Sequence, residues 1–227
     1  MSLDQKQLMW QGCQVLTEFG IFDEHGHLSA RTEPGSDTIM INGHSSPKTA
    51  SLQDFEEVDL NADEYPPGVP GETTIHAEVF RARDDVNAVC HNHSPFAVAV
   101  ASTGVEMRPV HSNGAVQAEP VTVYDDVNEE GGLLITTDEE GAEVAEALGD
   151  DNVVMLRGHG AVVTGHSVSD AVISSIKFEF NSRLLYHQAQ LGEPWYLPDH
   201  VVDREVERVH SEGVIEKSID YYLSQTF

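Results

Sequence analysis

Cations are scarce in this sequence. Twelve lysines and arginines stand against 39 aspartates and glutamates, a formal net charge of −27 over 227 residues. That balance excludes a nucleic-acid binder and a protein held on anionic membranes, both of which need basic patches. Cysteine is nearly absent: Cys13 and Cys90 are the only two. They leave room for one disulfide at most, which a cytoplasmic address disfavours. Cys13, in a helical run with Met9, Trp10, Val15 and Leu16, reads as small apolar filling. No run of apolar residues approaches the roughly 18 to 20 that a bilayer span requires. The opening Met1-Ser2-Leu3-Asp4-Gln5 has neither the basic nor the apolar region of a signal peptide, so the expected location is cytoplasmic. There is also no C-x-x-C, G-x-S-x-G, P-loop or G-x-G-x-x-G, which removes zinc deaminases, the hydrolase nucleophile elbow and the common nucleotide cradles.

What is present is an acidic but foldable chain. The acids come in short scattered groups such as Asp84-Asp85, Asp138-Glu139-Glu140 and Asp150-Asp151. A disordered tail would gather them in one block, and a calcium loop would space them regularly around a glycine. Lysine is scarcer than arginine, so the acidity reads as a halophilic, strongly solvated surface. With 40% hydrophobic residues the chain can bury one sizeable core, and residues 1–227 are expected to form a single domain.

Helical periodicity over 4–19, stopped by Gly20, is followed by strand-like segments at 27–31 and 37–42 and a proline-rich loop over 61–71. A helix from Glu72 to about Arg83 and a buried strand over 86–92 come next. Ser94-Pro95 restarts a helix, with serine as cap and proline in the first turn. Further strands are expected at 120–124, 153–156 and 161–164, with helices at 138–148, from the Ser167 cap to about Gln190, and over 199–223. Alternating helices and strands without a composition break imply one α/β domain with helices flanking one sheet.

His91-Asn92-His93 ends an apolar strand. Residues i and i+2 of a strand share a face, so both imidazoles converge as metal ligands do. The pattern alone is weak, because 12 histidines give roughly half a His-x-His pair by chance, and His25-Gly26-His27 is a second one. Its place at a strand end, where open α/β sheets set their sites, strengthens it. His159 lies between Gly158 and Gly160 after another apolar strand, where glycines let the backbone bend inward. Three neutral imidazoles suit zinc, with manganese, cobalt or iron as alternatives, and leave coordination positions open. Glu72 opens the helix that precedes the His91 strand, and His76 shares its face one turn on. On its own, Glu72 would be no more than an acid favouring a helix N-terminus.

Glu72-Thr73-Thr74-Ile75-His76, Arg83-Asp84-Asp85-Val86-Asn87-Ala88-Val89 and His91-Asn92-His93-Ser94-Pro95 together resemble the core of the class II aldolase/adducin family. Leu156-Arg157-Gly158-His159-Gly160 with Gly165 is similar to its second motif, and Ile21-Phe22-Asp23 through Arg31 to its first. The likeness runs in order from about residue 10 to residue 197. It implies a three-layer α/β/α sandwich and a homotetramer with sites at subunit interfaces. It also implies a divalent metal on His91, His93 and His159, with Glu72 as acid/base. The reaction implied is cleavage of a C–C bond through a metal-stabilised enolate.

Two places depart from the sugar-phosphate aldolases. Their phosphate is held by a Gly-Asn and by a Ser-Ser pair just before the glutamate. Here those places read Gly26-His27 and Pro70-Gly71, and a proline has neither N–H nor hydroxyl to give. Where that branch has a tyrosine acid, this chain has Ser112 after His111. The expected substrate is therefore a small hydroxy-carbonyl compound, with decarboxylation of a hydroxylated, possibly aromatic, acid as close rival. Epimerisation and a non-catalytic adducin-like module are more distant alternatives. Candidate substrate contacts are His27 for a hydroxyl, Arg31 for a carboxylate, Asn42-Gly43 for an anion, and His111 as a second acid.

Overall fold

A computed structural model describes residues 3–125 and 132–227. Among the described residues seven α-helices flank one seven-stranded sheet, the α/β arrangement expected. In chain order the strands are β1 (His27–Arg31), β2 (Thr38–Asn42), β3 (Phe55–Asp59), β4 (Ala88–Asn92), β5 (Thr122–Tyr124), β6 (Val153–Leu156) and β7 (Gly160–Gly165). The helices are α1 (Leu3–Glu18), α2 (Thr73–Ala82), α3 (Pro95–Ala101), α4 (Asp138–Leu148), α5 (Val168–Leu191), α6 (Asp199–Val209) and α7 (Glu212–Thr226).

Across the sheet the order is β3-β2-β1-β4-β7-β6-β5. Every pair is antiparallel except β5 with β6. Strand alternation splits the apolar residues between two cores. Leu28, Ala30, Ala88, Cys90, Met155 and Val163 pack on the side of α1, α3, α5 and α7. Ile39, Ile41, Val89, Val154, Leu156 and Val162 pack beneath α2 and α4. Cys13 and Cys90 are both free, buried thiols, as apolar filling requires.

Three local expectations are corrected. Strand β3 has no counterpart in the sequence reading, because Phe55-Glu56-Glu57-Val58-Asp59 carries three acids; only Phe55 and Val58 are buried, as befits an edge strand. Ser94 precedes α3 but does not cap it. Its hydroxyl donates to Asn92 Oδ1 at 2.6 Å. The free N–H groups of Phe96 and Ala97 donate instead to Glu179 of α5, both at 3.0 Å. The single C-terminal helix is two helices, α6 and α7, broken at His210-Ser211.

His210 explains the break. Its Nδ1 lies 2.8 Å from Asp170 Oδ1, and its Nε2 lies 2.9 Å from the Val116 carbonyl oxygen. Both nitrogens therefore have an acceptor within reach, which the doubly protonated ring can serve, although the Asn152 Nδ2 amide also stands 3.3 Å from Nε2 and makes its shorter bond to the Val116 carbonyl. Burial lowers the His210 pKa, but the bond to Asp170, the charge of Asp170 and the Val116 carbonyl together outweigh it, and the net shift is upward. Asp170 is shifted downward, burial being outweighed by the bond to and charge of His210 together with the His166 N–H and imidazole. Removing one partner of such a buried pair is strongly destabilising. His210→Ala is expected to cost about 3 kcal/mol near pH 6. The contribution needs Asp170 ionised and His210 charged. It is complete between their ordinary values of 3.8 and 6.5. It fades as pH rises through the raised His210 value or falls through the lowered Asp170 value. Denaturant unfolding of both proteins at pH 6 and above pH 8 measures this, and the gap between them narrows at the higher pH.

Candidate active site

The candidate residues meet on the α2/α4 face, at the end of β4. Antiparallel register sets His27 opposite His91 across the β1–β4 pair. His91 is fully buried, and its Nδ1 lies 3.1 Å from the Ala161 carbonyl oxygen on β7. His93 follows the strand, with Nδ1 2.8 Å from Asp23 Oδ2. In both rings an acceptor holds Nδ1–H, so the lone pair sits on Nε2. Those two Nε2 atoms and both nitrogens of His159 are buried without a hydrogen-bond partner among the described residues. Ring centroids of the three histidines lie 4.9 to 5.2 Å apart.

Glu72 completes the group. It occupies the N-cap position of α2, but its side chain makes no capping bond. The carboxylate turns to the histidines, with oxygens 3.5 Å from His91 Nε2 and 3.5 Å from His159 Nε2. One oxygen also accepts the Ile135 N–H at 3.1 Å. Burial opposes ionisation of this carboxyl, yet the imidazoles of His159 and His91 hold it well below the usual carboxylate range. Burial likewise holds His91 below its ordinary value. Four ligand atoms, one each from Glu72, His91, His93 and His159, all lie within 4.8 Å of one another. Neutral nitrogens with unused lone pairs beside a carboxylate are what a divalent cation takes, so the donor set fits a metal.

The glycines around His159 have separate causes. Gly158 has φ +68°, the left-handed region. Gly160 is set by close approach: a Cβ there would collide with the Asn92 carbonyl and stand 2.9 Å from His93 Cδ2. Gly160→Ala is expected to destabilise by about 1–3 kcal/mol and to spread the three rings. Thermal unfolding and metal content check both effects.

A cavity of about 850 Å³ opens on this group. His27 and Gly43 line it, as do His25, His44, Leu133 and Leu134. No lysine or arginine among the described residues does so. His27 is buried, and burial followed by the neighbouring His91 pushes its pKa down to about 3. Asn42 borders the cavity, but its amide is already engaged: Oδ1 accepts the Leu28 N–H at 2.6 Å, and Nδ2 donates to Gly26 O at 3.1 Å. It thus fixes the backbone on either side of His27.

Arg31 is not brought to the site. It is 3% exposed, and its guanidinium donates to the carbonyls of Ser36, Phe80, Val86 and Arg83. His111 also stands elsewhere, against Phe180 in a different cleft. His76 shares the Glu72 face of α2 but is fully buried, with Nδ1 2.7 Å from Ser29 Oγ. Sequence reasoning missed Asp23 and Ile135. Asp23 stood within the first motif without an assigned partner, and a backbone N–H leaves no mark in a sequence.

Comparison with known proteins decides the family. Residues 7–186 match the model of the class II aldolase and adducin N-terminal domain. The chain belongs to the class II aldolase/adducin family. Within that family it is 32% identical to a 3,4-dihydroxyphthalate decarboxylase of Arthrobacter keyseri, over 74% of this chain and 71% of that protein. It is 24% identical to a 5-deoxy-D-ribulose 1-phosphate aldolase of Bacillus thuringiensis serovar kurstaki, over 63% and 64% respectively. The crystal structure of L-fuculose-1-phosphate aldolase from Thermus thermophilus superposes with a TM-score of 0.71 at 26% identity, covering 86% of this chain and all of that one. Aldolases and decarboxylases of this family are lyases, and class II aldolases use a divalent metal. The recognised motifs and the three-layer fold are therefore those of a metal-dependent carbon–carbon lyase family.

Proposed function

We propose that this lyase decarboxylates a hydroxylated aromatic acid. The observation that carries the choice is the cavity lining. Among the described residues it presents histidines, Leu133 and Leu134, Ser45-Ser46 and the carboxylates of Asp23, Glu24 and Glu72, and no lysine or arginine. Pro70-Gly71 stands just before Glu72, and His27 replaces a phosphate-binding asparagine. A dianionic phosphate is poorly served by such walls, whereas an aromatic ring with a hydroxyl fits apolar surface beside imidazoles. The identity to a dihydroxyphthalate decarboxylase supports the same choice.

His91, His93 and His159 would hold the metal, zinc first among the candidates because three neutral imidazoles suit it. A divalent cation in that position supplies Lewis acidity, drawing electron density away from the carbon–carbon bond that breaks. Glu72, ionised in the resting site, accepts the proton of the substrate hydroxyl. It returns that proton to the ring carbon as carbon dioxide leaves, so the overall charge is conserved. His27 faces the cavity in neutral form and orients a hydroxyl. Leu133 and Leu134, both exposed on the cavity wall, offer apolar surface for the ring.

Aldol cleavage of a small hydroxy-carbonyl compound is the second reading, supported by the likeness to the Thermus aldolase. The two part on their products. The zinc- or manganese-loaded protein should release carbon dioxide from dihydroxybenzoates or dihydroxyphthalates, and no aldehyde from hydroxy-carbonyl compounds. Aldehyde formation without carbon dioxide would sink the decarboxylase reading.

The same reading holds that the protein is a cytoplasmic homotetramer with sites at subunit interfaces. Exposed large apolar residues, Leu191, Trp195 and Phe227 among them, support association. No helix among the described residues is long and apolar enough to cross a membrane. The net charge of −27 supports a salt-adapted surface, which is expected to lose structure when moved into millimolar buffer.

A further inference from the structure

A second cavity, of about 470 Å³, opens where α5, α6 and α7 meet. It shares no lining residue with the first. Its polarity is the reverse of the molecule's. Lys177 of α5, Arg208 of α6 and Lys217 of α7 all line it, and among the described residues no carboxylate does. Three of the chain's 12 lysines and arginines thus share one cleft in a protein with 39 acids. Phe180, Tyr221 and Tyr222 supply aromatic walls.

Lys177 is the telling residue. It is 8% exposed, and its ammonium has one long bond, to the Val209 carbonyl at 3.4 Å. Asp170, whose charge it feels, is bound instead to His210 and to the His166 N–H. Burial, and then the nearby Arg208 guanidinium, push Lys177 down to about 8. A buried ammonium beside a second cation needs an anion against it. Arg208 is fixed in place at the cleft, Nε pairing with Glu205 at 2.7 Å and Nη2 donating to Asn113 Oδ1 at 2.9 Å. Its Nη1 has no hydrogen-bond partner among the described residues.

We propose that this cleft binds a small organic anion, a carboxylate on an aromatic or short apolar body, between Lys177, Arg208 and Lys217. The carboxylate is the missing counter-ion, and its ring lies against the tyrosines and Phe180. The volume suits one such molecule. The proposal does not depend on which reaction runs at the histidine cluster.

Benzoate is a suitable probe, titrated calorimetrically into the metal-loaded protein and into three variants. His93→Ala, which lacks a complete metal site, is expected to bind one benzoate per chain in this cleft, and wild type at least one. Lys177→Met fills the same volume without charge, and Lys217→Glu changes an exposed residue, so both should fold. Each is expected to weaken binding by roughly tenfold or more, the usual effect of removing a charge-assisted contact. Three outcomes overturn the proposal. One is the absence of binding to wild type. Another is binding lost in His93→Ala but kept in both lysine variants, which would put benzoate at the histidines. The third is a cleft closed to benzoate whose Lys217→Glu variant dissociates, which would make a carboxylate of a second copy the counter-ion.

Discussion

His93→Ala is expected to lose metal and activity together. An open catalytic site has three protein ligands and none to spare, so two imidazoles cannot hold the ion in the same place. The loss in metal affinity should exceed about a hundredfold, the upper range for changes outside the ligand shell. Asp23→Asn provides the graded comparison. Asp23 touches only His93 Nδ1 within this group, at 2.8 Å, and so orients the ring without ligating. Its replacement is expected to weaken metal binding by about 10- to 100-fold while leaving the site assembled. Metal content after dialysis, measured beside turnover, separates the two. A His93→Ala protein that retains stoichiometric metal would remove His93 from the ligand set. Unfolding midpoints of the two variants without added metal serve as control, since His93 is only partly buried and packs little apolar surface.

Much of this was legible in the residues. The stretches read as strands at 86–92, 153–156 and 161–164 became the interior strands β4, β6 and β7, because strands buried on both faces are rich in apolar residues. The Gly158-His159-Gly160 turn was legible for the same kind of reason, one glycine needing a left-handed backbone and the other a neighbour's space. Strand β3 was hidden because an edge strand carries acids on its open face. The break between α6 and α7 was hidden because its cause, the His210–Asp170 contact, spans 40 residues. Arg31 shows the opposite failure. It lies in the right motif and on a strand next to the site, but chain topology surrounds it with carbonyls from three other segments. A cation at a plausible position says nothing about which acceptors reach it first.

Glu72→Gln is the second large effect expected. The amide keeps the shape of the side chain and can still face the Ile135 N–H, so α2 and the loop before α4 should remain in place. Three histidines remain to hold the ion, and metal content should stay near that of the parent. What disappears is a carboxylate able to take a proton and give it back. General acid–base contributions of this kind amount to about 10² to 10⁴ in rate, and the upper half of that range is expected. Glu72 has no ready substitute here, because a His27 with its pKa lowered to about 3 is a weak base and the other nearby carboxylate, Asp23, is engaged with His93 Nδ1. KM should change little if Glu72 acts on the moving proton and not on substrate binding. Solvent isotope effects give an independent reading, since proton return to carbon through Glu72 makes the parent sensitive to deuterium. Near-parent turnover in the variant would reduce Glu72 to a buried charge that balances the histidines. Loss of metal along with rate would instead make it a fourth ligand.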